Sequence, residues 1–409
     1  MEQNYPNLMT PITFSNLTAP NRFVHQPMEC DDSIDGFPSG RTLDRYRKLA
    51  RGKAGITMVE AVSVGNNRAR INQLMVDEEH RKGICELTKA FKNVNPDSLF
   101  IYQLNHAGQI SGEFHRPDVR ESQVVRVYKP KGFDNKPGKM LTVEDINEII
   151  DAFIKGAEIV YDSGADGVDV KFCHGYLIGQ ITRPANDREW EYGGSLENRL
   201  RFPKRIIEGI KERITDPDFC LMVRISMDEG DAISSGETIT GGVGTTGPES
   251  SEHSLDESLE TLKMLADWGV DILNISTGIP AYNADTWVRP AKPPKTFDAD
   301  DPTTYTQYHH LAYSLTAKKL DLGLPVVASG FSVFGKDIGK VGENAIREGY
   351  ADLIGIGRQT LADPDIERIL SGEANYCVRC RGCAKLLVGQ VPVGCIKYDR
   401  ESRERLKSL

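Results

Sequence analysis

The sequence lacks a basic excess: 50 Lys and Arg stand against 59 Asp and Glu, a formal charge of -9 over 409 residues. Nonspecific binding to a phosphate backbone needs a basic face that displaces counterions, so nucleic acid is not an expected partner. There is no run of about 18 apolar residues, so no helical membrane span is expected. The opening stretch, Met1 to Pro6, has neither the basic nor the apolar segment of a secretion signal. The expected location is therefore the cytoplasm. Only one literal Gly-x-Gly-x-x-Gly occurs, Gly242 to Gly247. No strand-like run adjoins it, and Pro248-Glu249-Ser250-Ser251 follows where a helix should begin, so it reads as a loop and not as a dinucleotide fingerprint.

What is present is a soluble globular composition, 39% hydrophobic and 27% charged. Eight short β-rich runs recur with helical patterns between them: Arg22–Pro27, Gly55–Ala61, Ser98–Leu104, Gly167–Phe172, Cys220–Ser226, Asp271–Ser276, Pro325–Ser329 and Asp352–Gly357. Alternating β and α units imply a parallel sheet, and eight strands close a barrel. The expected fold is an α/β protein, a (β/α)8 TIM barrel, with a doubly wound open sheet as the alternative. Thr142 with Asp145 resembles a capping box, and Ile146, Ile149, Ile150, Phe153, Ile154 and Ala157 form one apolar stripe that should face the sheet. The same punctuation precedes three of the strands: Gly164-Ala165-Asp166, Gly269-Val270-Asp271 and Gly349-Tyr350-Ala351-Asp352. Each glycine can supply the left-handed residue that stops a helix. Three long connections, Gln109–Leu141, Asp228–Ser254 and Gly278–Asp301, leave the carboxyl ends of strands, the rim where barrel enzymes place their chemistry.

The barrel pattern fills residues 1–364, and residues 365–409 form a cysteine-rich tail. Cys30, Cys85, Cys173 and Cys220 are scattered, but Cys377, Cys380, Cys383 and Cys395 follow the spacing Cys-x2-Cys-x2-Cys-x11-Cys. Three close thiolates plus a remote fourth can grip a cubane iron-sulfur cluster, whereas structural zinc more often uses two separated Cys-x2-Cys knuckles. Spacing alone leaves [4Fe-4S], zinc and no metal open, in that order. On the expected rim, Gln103 and His106 end strand three, Lys171, His174 and Tyr176 belong to strand four and its exit, and Arg224 lies in strand five. A histidine, a lysine and a tyrosine within six residues suit polarising a carbonyl and protonating a carbon. Gly330, Gly357 and Arg358 follow strands seven and eight, where barrels often hold a phosphate, although ordinary turn glycines would read the same way.

The ordered set His174-Gly175-Tyr176-Leu177, Asn186, Arg188, Tyr192-Gly193-Gly194-Ser195, Glu197-Asn198-Arg199 and Arg201-Phe202 resembles the Old Yellow Enzyme family of NADH:flavin oxidoreductases. Pro27-Met28, Val59-Glu60-Ala61, Gln103-Leu104, His106-Ala107-Gly108, Arg224-Ile225-Ser226, Gly357-Arg358 and Leu361-Ala362-Asp363-Pro364 extend the resemblance over nearly the whole chain. With the cysteine tail, it is similar to the iron-sulfur branch that includes 2,4-dienoyl-CoA reductase and trimethylamine dehydrogenase. The resemblance implies FMN, bordered by Pro27, Met28, Glu29 and Ala61, bonded by Gln103, with Arg224 beside its anionic edge and Gly330, Gly357 and Arg358 on its phosphate. It also implies a [4Fe-4S] cluster on the four tail cysteines.

The implied activity is reduction of an activated C=C bond of enoate, enone or enoyl/dienoyl-CoA type. Tyr176 would be the proton donor, with Tyr282 as its partner, and His174 and Lys171 would bind the substrate oxygen. Three positions depart from the family pattern. Tyr282 stands after strand six where the dienoyl-CoA reductases use a histidine. Lys171 stands where many relatives begin a His-x-x-His or His-x-x-Asn pair, and Glu29 stands where some place a cysteine beside the flavin. Oxidative amine dealkylation and a non-catalytic electron-transfer subunit are the alternatives; Trp287 and scattered tyrosines offer little of an aromatic cage for an alkylammonium group. NAD(P)H, or a partner flavoprotein or ferredoxin docking near the tail, is the expected electron source, because no reductase domain follows the cluster motif before Leu409. A homo-oligomer is expected.

Overall fold

The structure is a computed structural model that describes residues 4–110, 125–127, 139–229, 232–234, 237–239, 255–280, 298–301 and 308–409. Eight parallel strands close into a barrel: β1 (Phe23–His25), β2 (Ile56–Ser63), β3 (Leu99–Asn105), β4 (Gly167–Phe172), β5 (Cys220–Ser226), β6 (Ile272–Ser276), β7 (Val326–Ala328) and β8 (Leu353–Ile356). They pair in sequence order, and β8 returns to β1 through Ile354 opposite Phe23. Each of the eight expected strands is there, and two match to the residue. β2 to β6 are buried throughout, as strands covered on both faces must be.

The helices form the outer layer: α1 (Gly40–Arg51), α2 (Arg81–Lys92), α3 (Val143–Asp162), α4 (Leu196–Arg213), α5 (Asp256–Asp267), α6 (His309–Lys318) and α7 (Ile338–Arg347). Thr142 and Asp145 make the capping box that starts α3, and Ile146, Ile150, Phe153 and Ala157 of its stripe are buried against the sheet. The bottom of the barrel is stoppered by a hairpin of Ile12–Phe14 and Leu17–Ala19. Its Phe14 and Ala19 join Val24, Ile56, Met58, Leu99, Ile101, Met222 and Val327 in a cluster of buried apolar side chains.

The three Gly-to-Asp repeats are three copies of one device at this lower end. Gly164, Gly269 and Gly349 have φ of +79°, +86° and +72°, the left-handed region glycine enters without steric cost. The aspartate that follows each then reaches back to the preceding strand. Asp166 accepts from the Phe100 N–H at 2.6 Å, Asp271 from Leu221 at 2.7 Å and Asp352 from Val326 at 2.8 Å. Each is also ion-paired with a lysine in the last turn of the helix that leads into that preceding strand: Lys92 of α2 at 2.5 Å, Lys211 of α4 at 2.9 Å and Lys318 of α6 at 2.9 Å. A cation there also complements the negative end of the helix.

Past Pro364 the tail turns back over the opposite end. The Pro364 carbonyl is held by His25 Nε2 at 2.9 Å. Helices α8 (Gly382–Val388) and α9 (Arg400–Ser408) follow, and Leu386 and Val393 pack on Cys30 just after β1. Val393 N–H donates to the Cys30 carbonyl at 2.8 Å, and Gln390 Oε1 accepts from the Ile71 N–H at 3.0 Å. Among the described residues no helix is long and apolar enough to cross a membrane.

Candidate active site

A cavity of about 420 Å³ opens at the carboxyl ends of the strands, within the size range of small-molecule sites. Its wall is assembled from segments far apart in sequence: Gln26, Pro27, Met28 and Glu29 after β1, Arg70 after β2, Gln103 of β3, Lys171, His174 and Tyr176 on β4 and its exit, and Arg224 of β5. His310 of α6, Gly330 and Ser332 after β7, Gly357 and Arg358 after β8, and Cys383, Leu387 and Val393 of the tail complete it. The carboxyl-end rule thus brings together Pro27, Met28, Glu29, Gln103, Lys171, His174, Tyr176, Arg224, Gly330, Gly357 and Arg358.

Glu29 is the electrostatic centre of the wall. Its Oε1 lies 3.0 Å from Lys171 Nζ and accepts the Tyr176 hydroxyl at 2.7 Å, while Oε2 lies 3.2 Å from Arg70 Nε. Burial alone would raise the carboxyl, but Lys171 and then Arg70 outweigh it and bring Glu29 down to about 2. The Lys171 ammonium also sits 3.4 Å from the centre of the Tyr176 ring. Burial first, and then the Glu29 charge, push the Tyr176 phenol well above its ordinary value, so it keeps its proton. His174 adopts a left-handed φ of +63°; its N–H donates to Ser226 Oγ at 3.1 Å, and its Nε2 lies 2.8 Å from Ser276 Oγ.

The other end of the cavity is prepared for an anion. Arg224 is 9% exposed, and its Nε is buried without a hydrogen-bond partner. His310 Nδ1 is likewise unpartnered, and burial lowers this ring to about 3, so it is neutral. Gly330 has φ +89°, and a Cβ there would meet the Tyr308 hydroxyl at 2.0 Å; only glycine leaves that space. Gly357 N–H and Gln359 N–H are already taken by Ser332 Oγ, each at 3.0 Å, which leaves the Arg358 side chain and the Gly330 backbone as the anion-facing groups.

Two expectations land elsewhere. Ala61 is fully buried and not among the residues lining the cavity; it lies within the irregularity of β2 between Val59 and Val62, and its carbonyl accepts from Gln73 Nε2 at 2.7 Å. His106 ends β3 but turns its Nδ1 to the Gly108 N–H at 3.1 Å, a local structural contact. Tyr282 and the Gly242–Gly247 run lie outside the described residues. Arg70 and His310 were not anticipated. Arg70 follows β2 on the same rim, so the rule that found Lys171 would have found it had that connection been considered; His310 carries no spacing signal.

The four tail cysteines line a second, smaller cavity of about 20 Å³ together with Arg358, Leu361, Arg379 and Arg381. Cys383 and Arg358 belong to both cavities. Among the described residues no group of three or more His, Cys, Asp or Glu side chains is drawn together closely enough to hold a metal ion. All four thiols nonetheless face that one small space, Cys383 from α8 and the other three from the segments on either side of it.

Residues 7–247 match the model of the NADH:flavin oxidoreductase / NADH oxidase family, more than half of the chain. The chain belongs to this family. It is 30% identical over 403 residues to an NADH oxidase of Thermoanaerobacter brockii, covering 96% of this chain and 54% of that protein. It is 27% identical over 420 residues to a cinnamate reductase of Clostridium sporogenes, covering 99% and 59%. The structure superposes on a 2-naphthoyl-CoA reductase complex with a TM-score of 0.77 at 23% identity, covering 98% of this chain and 58% of that one, a likeness of fold. The chain thus spans little more than half the length of these relatives. As a member of the NADH:flavin oxidoreductases it is a flavoprotein oxidoreductase whose cofactor is FMN. The unpartnered Arg224 Nε and a cavity lined by both Arg358 and Tyr176 fit that group.

Proposed function

We propose that the protein reduces an electron-poor C=C bond conjugated to a carboxylate, ketone or thioester carbonyl. The observation that carries this reading is the Tyr176 phenol, buried on the cavity wall and held protonated beside Glu29. Such a group can give a proton to a carbon that is becoming basic. Lys171 and His174, both shortly before it in sequence, line the same wall and can receive the carbonyl oxygen. FMN, when bound, supplies the hydride. Gly330 and Arg358 would hold its phosphate, with Gly357 on the wall beside them, Arg224 its anionic edge, Gln103 its polar rim, and Pro27 and Met28 its border. Gln103 is turned toward that rim by its own bond to Asp169 at 2.6 Å.

The amine-dealkylation reading is disfavoured by charge. Among the described residues, Arg70, Lys171, Arg224 and Arg358 line the cavity against the single carboxylate of Glu29, a poor surrounding for an alkylammonium group. Anaerobic screening of the photoreduced enzyme with enoates, enones, enoyl-CoAs and amines decides between them. Reoxidation by an alkene is expected; reduction of the oxidised enzyme by an amine would reverse the assignment. Mixing the oxidised enzyme with NADH and NADPH tests the source of electrons. Rapid flavin bleaching by either removes the need for a partner flavoprotein or ferredoxin.

Residues 365–409 are proposed to bind a [4Fe-4S] cluster on Cys377, Cys380, Cys383 and Cys395, relaying single electrons to and from FMN. Support comes from the shared wall at Cys383 and from the loop itself: Arg379 and Arg381, either side of Cys380, have φ of +57° and +63°. Two left-handed non-glycine residues in three positions cost about 1–2 kcal/mol each, strain of the kind retained at functional sites. Iron and acid-labile sulfide at about four each per chain are expected; stoichiometric zinc would overturn the cluster.

A further inference from the structure

Two of the positions at which this chain departs from its family pattern, Glu29 after β1 and Lys171 in β4, are in contact with each other at 3.0 Å. They are 142 residues apart, so neither departure predicts the other. Their meeting point is one carboxylate oxygen, Glu29 Oε1, which also accepts the Tyr176 hydroxyl at 2.7 Å. The loop after β2 supplies Arg70 to the second oxygen at 3.2 Å. That loop is pinned to the Glu29 loop by the Asn72 N–H on Asp31 Oδ1 at 2.7 Å and by the Ser33 hydroxyl on the Asn72 carbonyl at 2.7 Å.

We propose that Glu29 is the positioning residue for Tyr176: it aims the hydroxyl and holds its proton, and Lys171 and Arg70 serve by keeping the Glu29 carboxylate ionised. This rests on Tyr176 being the proton donor. A phenol facing an ionised carboxylate has only one role in the hydrogen bond between them, that of donor. Its ionisation would place a second negative charge beside the first, which the Lys171 ammonium over the ring only partly offsets. The charged and titratable groups facing the pair are Lys171 from β4, Arg70 from the loop after β2, Cys173 at the exit of β4, and Asp31 on the Glu29 loop. A purely structural Glu29 would neutralise Lys171 and Arg70 without governing the tyrosine.

Glu29→Gln separates the two, since it preserves size and an acceptor oxygen but removes the charge. The first measurement is tyrosine ionisation in the FMN-loaded protein, followed by NMR with isotope-labelled tyrosine in wild type, Glu29→Gln and Glu29→Gln/Tyr176→Phe. One tyrosine is expected to ionise at lower pH in Glu29→Gln and to be missing from the double variant. An unmoved Tyr176 titration would overturn the proposal, and this readout needs no turnover, so it stands apart from the assignment of the reaction. With an alkene substrate, Glu29→Gln is expected to lower kcat about tenfold or more with KM within about twofold, the pattern of a lost transition-state interaction. Glu29→Asp, which keeps the charge, should recover part of it. Should Glu29→Gln fail to fold, Lys171→Met weakens the ionised carboxylate from the other side: the acid limb of the kcat profile moves to higher pH, and an unmoved limb counts against the role.

Discussion

The two ends of this barrel are built in opposite ways. The lower end repeats one clasp three times, Asp166, Asp271 and Asp352 each joining a strand N–H to a lysine from the preceding helix. The upper end repeats nothing. Glu29, Arg70, Lys171, Tyr176, Arg224, His310, Arg358 and Cys383 each come from a different loop, strand or helix, apart from the Lys171–Tyr176 pair, and surround one cavity. The lower clasps satisfy their own charges locally, strand by strand. The upper groups crowd four cations around one carboxylate and leave Arg224 Nε without a partner, an arrangement that costs stability unless something anionic binds. The comparison assigns stability to the floor and chemistry to the rim.

The largest expected effect that could break this division is that of Tyr176→Phe. Loss of the hydroxyl should lower alkene turnover by about 100-fold to 10,000-fold. FMN binding and the melting temperature should hardly change, because the hydroxyl's bond is to a carboxylate that keeps Lys171 and Arg70. Single-turnover reoxidation and thermal melts measure both; an unchanged rate would remove Tyr176 as the proton donor. Next in size is the effect of Cys380→Ser on the tail. It should abolish or deplete bound iron while the FMN content stays near one per chain, because the barrel's groups at Gly330, Arg358 and Arg224 are untouched.

At the floor, Asp352→Ala removes the acceptor of the Val326 N–H and the partner of Lys318 together. The expected cost is about 1–3 kcal/mol in urea unfolding, with kcat unchanged. A stability loss smaller than that of Tyr176→Phe, or a changed kcat, would show that the two ends are not separate in this way.

The same contrast explains what the chain's letters reveal. Three copies of Gly-to-Asp punctuation and eight apolar runs are periodic, and periodicity survives in sequence, so the barrel, its strand ends and even the left-handed Gly164, Gly269 and Gly349 are legible there. The rim is legible only by rule: residues such as Lys171, His174, Tyr176 and Arg224 are noticed because they stand at strand exits. Which of them touch is not. The Glu29–Lys171–Arg70–Tyr176 cluster depends on three loops converging in space, and no local pattern joins position 29 to 70 or 171. Ala61 is the complementary case. The resemblance puts it beside the flavin, while in the structure it sits within the irregularity between Val59 and Val62 and is not among the residues lining the cavity. The tail's closure over the rim, through Leu386 and Val393 on Cys30, is likewise a matter of docking two surfaces, which spacing does not encode.

Between floor and rim lies Asp169 of β4, and it offers the smallest and most discriminating test. Burial raises its carboxyl from 3.8 to about 7, against the pull of the Gln103 bond and of Arg224 and Lys171. The folded protein therefore keeps this proton between about pH 4 and 7, where the unfolded chain has lost it. The favourable contribution is complete below the unfolded value and is lost as pH rises through about 7. Asp169→Asn removes the titration but leaves an acceptor for Gln103. Relative to wild type it should be unchanged near pH 4 and gain about 1 kcal/mol or more by pH 8. A melting-temperature difference that does not grow over that interval would mean that Arg224 and Lys171, the rim's own cations, already hold Asp169 ionised, and that the rim's charge reaches deeper into the barrel than the cavity wall.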